Sequence, residues 1–253
     1  MLKLVIVNLI IILIIVLMLL LLKRIIKEER GVKILFIVAP ILTILCHYSS
    51  LLYHLFDSSN GTPFNYLESN PNLVLPIYPC NVVMWCALIF GVTKKNTKFS
   101  SFLADFIFLF GVVAGLVGLF MNIDFIRKPT FKDYDIVKGI FSHGFMLFNV
   151  LIIPVFGFYK LDLKSNMIHV LISILMMFII GLYCNLLISV IGSSDYAYNV
   201  NSMFILHSPI DGVKFLTYPF IAGFALILYF VTFHILELIK YEKGNRWFNR
   251  IKK

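Results

Sequence analysis

The residues best equipped for chemistry lie inside an otherwise apolar chain. Cys80 closes the segment Leu75-Pro76-Ile77-Tyr78-Pro79-Cys80. Each proline lacks an amide donor and hinders the turn before it, so a regular helix is weakened there. Broken backbone at membrane depth is tolerated only where protein or a wet cavity surrounds it. Most free cysteines are small buried hydrophobes, a reading that suits Cys46, Cys86 and Cys184 better than a thiol at a proline break. Ser142-His143-Gly144 opens a later apolar run. Counting residues from the outer ends places His143 about 8 Å deep and Cys80 about 10 Å deep at 1.5 Å per residue. An imidazole within reach of a thiol supplies the base that makes a nucleophilic thiolate. His47, Ser50 and His54, at offsets 0, 3 and 7, share one helical face. That face reads either as packed, hydrogen-bonded imidazoles or as the lining of a cavity. The outer loop 192–212 has no Lys or Arg, and its Asn199, Asn201, Ser202 and His207 offer donors to a lipid headgroup or an oxyanion. They read equally as solvated loop residues. Asp124 ends the fourth apolar run beside Arg127 and Lys128.

Seven apolar stretches must position these groups, over residues 2–22, 34–56, 73–92, 99–121, 136–159, 167–191 and 213–239. Each suits a helix crossing about 30 Å of hydrocarbon, and none shows the alternation of a barrel strand. The expected fold is all-α, a polytopic membrane helical bundle forming a single domain over 1–253. The first stretch ends in Lys23-Arg24 without a small-residue cleavage site and reads as a retained anchor. Of the 22 Lys and Arg, sixteen fall on one side of these spans and six on the other. The positive-inside rule then puts the amino terminus outside and the carboxyl terminus in the cytoplasm. The basic tail 240–253, with Trp247 and Phe248, is expected on anionic inner-leaflet lipids.

Composition agrees with this class. The chain of 253 residues is 60% hydrophobic and 14% charged, far from the balance of a soluble domain. Its net charge of +9 follows from topology, and no folded basic face presents itself to nucleic acid. All four cysteines lie within spans, which argues against a disulfide framework. His47, His54, His143 and Cys80 share no local ligand spacing, so neither metal nor cofactor is expected. Asp105 and Glu237, near cytoplasmic ends, read as solvated at the interface. Asn149 and Asn185 lie deep and read as interhelical hydrogen-bonders.

Four segments in order carry a family resemblance. Leu75-Pro76-Ile77-Tyr78-Pro79-Cys80 resembles the "LPL-(His/Gln)-LC" signature of the YwaF family of bacterial membrane proteins, which is related to the animal transmembrane protein 164 acyltransferase. Asn122-Ile123-Asp124, after Gly115 and Gly118, resembles that family's "TPD" region. Phe141-Ser142-His143-Gly144 resembles its "F-x-S-H-G", and Asn201-Ser202-Met203-Phe204 with Pro209 its "NYMFL…P" loop. Tyr78, Pro79, Asn122, Ile123 and Ser202 depart from the pattern. The resemblance implies Cys80 as the acyl-accepting nucleophile and His143 as its base.

The expected activity is therefore acyl transfer on phospholipids in the outer half of the bilayer, through a thioester on Cys80. The acyl group would pass to a lyso-lipid, a lipoprotein amine or water. His47, Asn201 and Ser202 are candidates for oxyanion stabilisation, with His54, Tyr78 and Asp124 as further substrate contacts. A small-solute or ion transporter, or a non-catalytic lipid-binding bundle, is the competing reading. The expected location is a cell membrane. A Lys-, Ile- and Asn-rich composition points to a bacterial plasma membrane, and the oligomeric state is left open.

Overall fold

The computed structural model describes residues 2–55, 71–120, 122, 125–126, 129–208 and 214–250. Helices α1 (Leu2–Ile25) and α2 (Glu29–Leu55) come first, then the short α3 (Pro79–Val92), α4 (Lys98–Phe120) and α5 (Tyr134–Val155). After these come α6 (Leu163–Ile191), the seven-residue α7 (Ser194–Val200), α8 (Tyr218–Lys240) and a last turn, α9 (Trp247–Arg250). Six of them, α1, α2, α4, α5, α6 and α8, are long and apolar enough to cross a membrane.

The third expected span takes a different form. Residues 71–73 make a single 3-10 turn, 74–78 are irregular, and only Pro79–Val92 is α-helical. Fourteen residues extend about 21 Å, short of the hydrocarbon thickness. Pro76 and Pro79 account for the break, since neither has an amide to continue a ladder. Asn81 of α3 stands level with His47 of α2, and Gly91 level with Phe36, so the two helices run antiparallel.

Their close approach has a local cause. Pro40 inside α2 gives no hydrogen bond to the Phe36 carbonyl one turn earlier. Gly91 closes on that carbonyl so tightly that a Cβ there would lie 2.1 Å from its oxygen. A residue without a side chain lets the backbones meet. At the same end, the Lys95 ammonium caps α3 by donating to the Phe90 carbonyl, and lies 3.5 Å over the Phe90 ring and 4.9 Å over Phe36. Burial pushes this loop lysine down to about 8, with the charge of Lys33 adding to the effect. Phe158, in the connection after α5, packs edge-on against Phe36 at 5.2 Å.

α4 and α5 form the centre, with 67% and 61% of their apolar windows buried, against 22–28% for α1, α6 and α8. Leu13, Leu17, Leu186 and Ile227 on those outer helices face outward, as a bundle solvated by lipid requires.

Two acidic residues contradict their expected solvation. Asp105 is only 2% exposed and joins α4 to α6 and α8. Its carboxylate accepts from His169 Nδ1 at 2.6 Å, from the Asn166 amide, and from the Tyr229 hydroxyl at 3.4 Å, while Tyr159 and Tyr229 share a 2.6 Å hydrogen bond. Glu237 is fully buried and accepts from the Trp247 amide at 2.6 Å. Trp247 also donates from its indole to His234 Nδ1 at 3.1 Å, so the start of the basic tail folds back onto α8. Proximity to a helix end did not imply water, because neighbouring elements supply donors that an interface would otherwise provide. Asn149 and Asn185 behave as expected. Asn149 donates to Thr43 at 2.6 Å and Asn185 holds the 201–204 turn.

Candidate functional site

The irregular segment before Cys80 shows how broken backbone survives inside a bundle. Its carbonyls are claimed one by one. The Pro71 carbonyl takes the amides of Val74 and Leu75 at 3.0 and 2.8 Å. The Ile77 carbonyl accepts the Met203 amide at 2.8 Å and the Ser202 hydroxyl at 3.0 Å. Cys184 approaches the Pro76 carbonyl at 3.9 Å. The turn that makes these contacts is itself strained, with Asn201, Met203 and Phe204 all at positive φ. Non-glycine residues adopt that region at a cost and persist there only when their surroundings demand it. The Phe204 ring stacks on Tyr78 at 5.4 Å.

In this arrangement the polar groups of Asn201 and Ser202 bond within the protein itself. Asn201 donates to the His207 carbonyl at 2.7 Å and accepts from the Leu206 amide at 2.9 Å. The Ser202 hydroxyl is spent on Ile77, and its amide on Asn185 at 2.8 Å. Both residues serve the loop that braces the segment leading to Cys80. His207 likewise contacts the backbone at Tyr198 and Ser208.

α3 begins at Pro79, the position where a missing amide costs nothing, with Tyr78 as its extended N-cap. Cys80 therefore sits in the first turn, where the positive end of the helix dipole favours a thiolate. Asn81 is the hub of the site. Its side-chain oxygen accepts from the Tyr78 amide at 3.2 Å and faces the Cys80 thiol at 3.9 Å. Its amide nitrogen meets His47 Nε2 at 3.1 Å and the Asn72 carbonyl at 3.4 Å. His47 Nε2 also approaches that carbonyl, at 3.3 Å. Thiol and imidazole are thus joined through one carboxamide.

The shared face of α2 points at this cluster and at α5. Ser50, fully buried, donates to Asp135 Oδ1 at 2.5 Å, and the same oxygen pairs with Lys138 Nζ at 3.3 Å. Cys46 approaches the Lys138 carbonyl at 3.9 Å.

His143 lies on α5 and packs against α4. Its ring lies in a notch made by Gly118 of α4, where an added Cβ would be 2.2 Å from Nδ1. Its Nδ1 is buried without a hydrogen-bond partner. No hydrogen bond joins the Cys80 sulfur to an imidazole among the described residues. His54 lies in the last turn of α2 with its side chain outside the described residues, as is Asp124 altogether. Neighbouring Asn122 caps the Phe125 amide at 2.9 Å.

Sequence reasoning passes over Asn81, Asn72 and Lys138. A deep Asn directly after the singled-out cysteine is a signal for the first. Lys138, counted only toward topology, stands five residues before His143 and so one and a half turns away on the same helix.

A polytopic helical membrane protein thus carries, at a broken helix, a thiol, a carboxamide and an imidazole in one hydrogen-bonded cluster, with a second imidazole and a half-buried lysine on α5. The chain belongs to the TMEM164 family, whose model matches residues 2–237. No curated protein and no solved structure matches it.

Proposed function

We propose that this protein is a multi-pass membrane acyltransferase that carries an acyl group on Cys80. The observation supporting this most strongly is the placement of Cys80 in the first turn of α3, joined through Asn81 to His47. A helix N-terminus favours thiolate over thiol. The sulfur attacks the ester carbonyl of a phospholipid, with the thiol proton passing to His143. Collapse of the tetrahedral intermediate breaks the carbon–oxygen ester bond, and the proton returns from His143 to the leaving alkoxide. The thioester then yields its acyl group to a lipid hydroxyl or to water, with His143 again accepting and returning the proton. Asn81 and His47 fix the orientation of the nucleophile-bearing turn.

The same proposal includes the topology. The irregular segment and α3 together make a seventh, discontinuous crossing, with the sixteen-cation side in the cytoplasm and the site toward the outer leaflet. The location in keeping with this is a bacterial plasma membrane.

Membranes bearing the wild type or Cys80→Ala are incubated with a phospholipid carrying an alkyne fatty acid. A hydroxylamine-sensitive label on the wild type alone is expected. Equal label on both, or none on the wild type, would remove Cys80 as the acyl carrier.

A further inference from the structure

Lys138 is unusual as a lysine. Lysine side chains are almost never deeply buried unless paired, and this one is 11% exposed while its partner Asp135 is 33% exposed. The cation is thus the more enclosed member of the pair. The Lys138 carbonyl meets Cys46 at 3.9 Å, and the Asp135 oxygen that Lys138 pairs with is also held by Ser50, which lies one turn beyond His47 on α2. Two buried polar atoms of the same cluster, Asn72 Oδ1 and His143 Nδ1, lack hydrogen-bond partners. Orphaned buried groups of this kind are rare and accompany sites that take a ligand or perform chemistry.

The height of Lys138 supplies the ligand's chemistry. It precedes His143 by five residues on α5, which is about 7.5 Å along the axis toward the helix start. In a glycerophospholipid the phosphate lies on the headgroup side of the ester carbonyls, with one glycerol unit between them. An ester held at Cys80 and His143 therefore brings the phosphate to the level of Lys138. A phosphodiester anion can replace Asp135 as its counter-ion, leaving Asp135 with the Ser50 hydroxyl.

Resting on the acyl-transfer reading, we propose that Lys138 receives the phosphate of the donor lipid and makes the site select phosphodiester-bearing lipids over neutral glycerolipids. The test uses the full chain in a neutral maltoside detergent. Donors are an alkyne-tagged phosphatidylglycerol and an alkyne-tagged diacylglycerol with the same acyl chain. The half-saturating concentration for labelling Cys80 is read for each. Wild type is expected to prefer the phosphatidyl donor, Lys138→Gln to lose about tenfold of that preference, and Lys138→Arg to restore most of it. Asp135→Asn, which removes the competing anion, is expected to lower the half-saturating concentration of the phosphatidyl donor. A preference ratio unchanged in Lys138→Gln, or an equal loss with both donors together with no gain in Asp135→Asn, overturns the role of Lys138 alone. No label on wild-type Cys80 from either donor overturns the acyl-transfer reading beneath it.

Discussion

Asn81 touches the Tyr78 amide, the Cys80 thiol, the Asn72 carbonyl and His47 Nε2 through one side chain. At this scale the chemistry depends on fixed orientation, and Gly118 offers a direct lever on it. In Gly118→Ala the new methyl would lie 2.2 Å from His143 Nδ1, so the ring must turn away. Acyl loading of Cys80 is expected to slow by about 10²-fold, the usual penalty for displacing a catalytic group by about 1 Å. A rate measured on protein that remains monodisperse in detergent checks this. Lys95 permits a pH prediction away from the site. Its folded-state value near 8 lies below the ordinary 10.5, so between them the unfolded chain binds more protons and stability rises with pH. The thermal midpoint of the wild type should climb from pH 8 to 10 relative to Lys95→Met; a flat difference contradicts the assignment. Cys80, His143 and His47 are singled out in the sequence because polar atoms in an apolar run stand out. Lys138 was not, because a lysine near a span end is indistinguishable from a topological charge until its neighbours are known.

The decisive element is the one that departs from regularity. Prolines revealed the break before Cys80 in the sequence, but the turn at 201–204 that satisfies its carbonyls lies over a hundred residues away, and no local pattern links them. Only the fold shows that Ser202 and Met203 close on Ile77. The α2–α3 contact is equally non-local. Gly91→Val would drive a side chain into the Phe36 carbonyl and is expected to destabilise the protein by about 1–3 kcal/mol, as overpacking does. A lowered thermal midpoint with weakened acyl loading is the expected result, since α3 carries Cys80. The Asp105 network ties α4, α6 and α8 on the far side of the bundle. Removing the acceptor in Asp105→Ala strands donors on His169, Asn166 and Tyr229, at a cost on the order of 3 kcal/mol. Asp105→Asn keeps an acceptor and should fall between Asp105→Ala and the wild type in thermal midpoint. Sequence position near a helix end suggests water there; α6 and α8 supply protein donors instead.

For the whole molecule, hydropathy identified the all-helical membrane class, and membership of the TMEM164 family spans residues 2–237. What hydropathy missed is that one apolar stretch divides into an irregular entry and a short helix, since the scale registers apolarity and is blind to lost amides. The bundle that results holds Cys80, Asn81 and His47 together where α2 meets α3, apart from the Asp105 network. The proposed thioester would require such a site to exclude water. The most direct measurement is therefore peptide mass spectrometry of the purified protein after incubation with a phospholipid of known acyl chain. An added acyl mass on the peptide containing Cys80, removed by hydroxylamine and sharply reduced in His143→Gln, is expected. Acyl mass on Cys46, Cys86 or Cys184 instead, or an unmodified Cys80 under turnover, would contradict acyl transfer through this thiol.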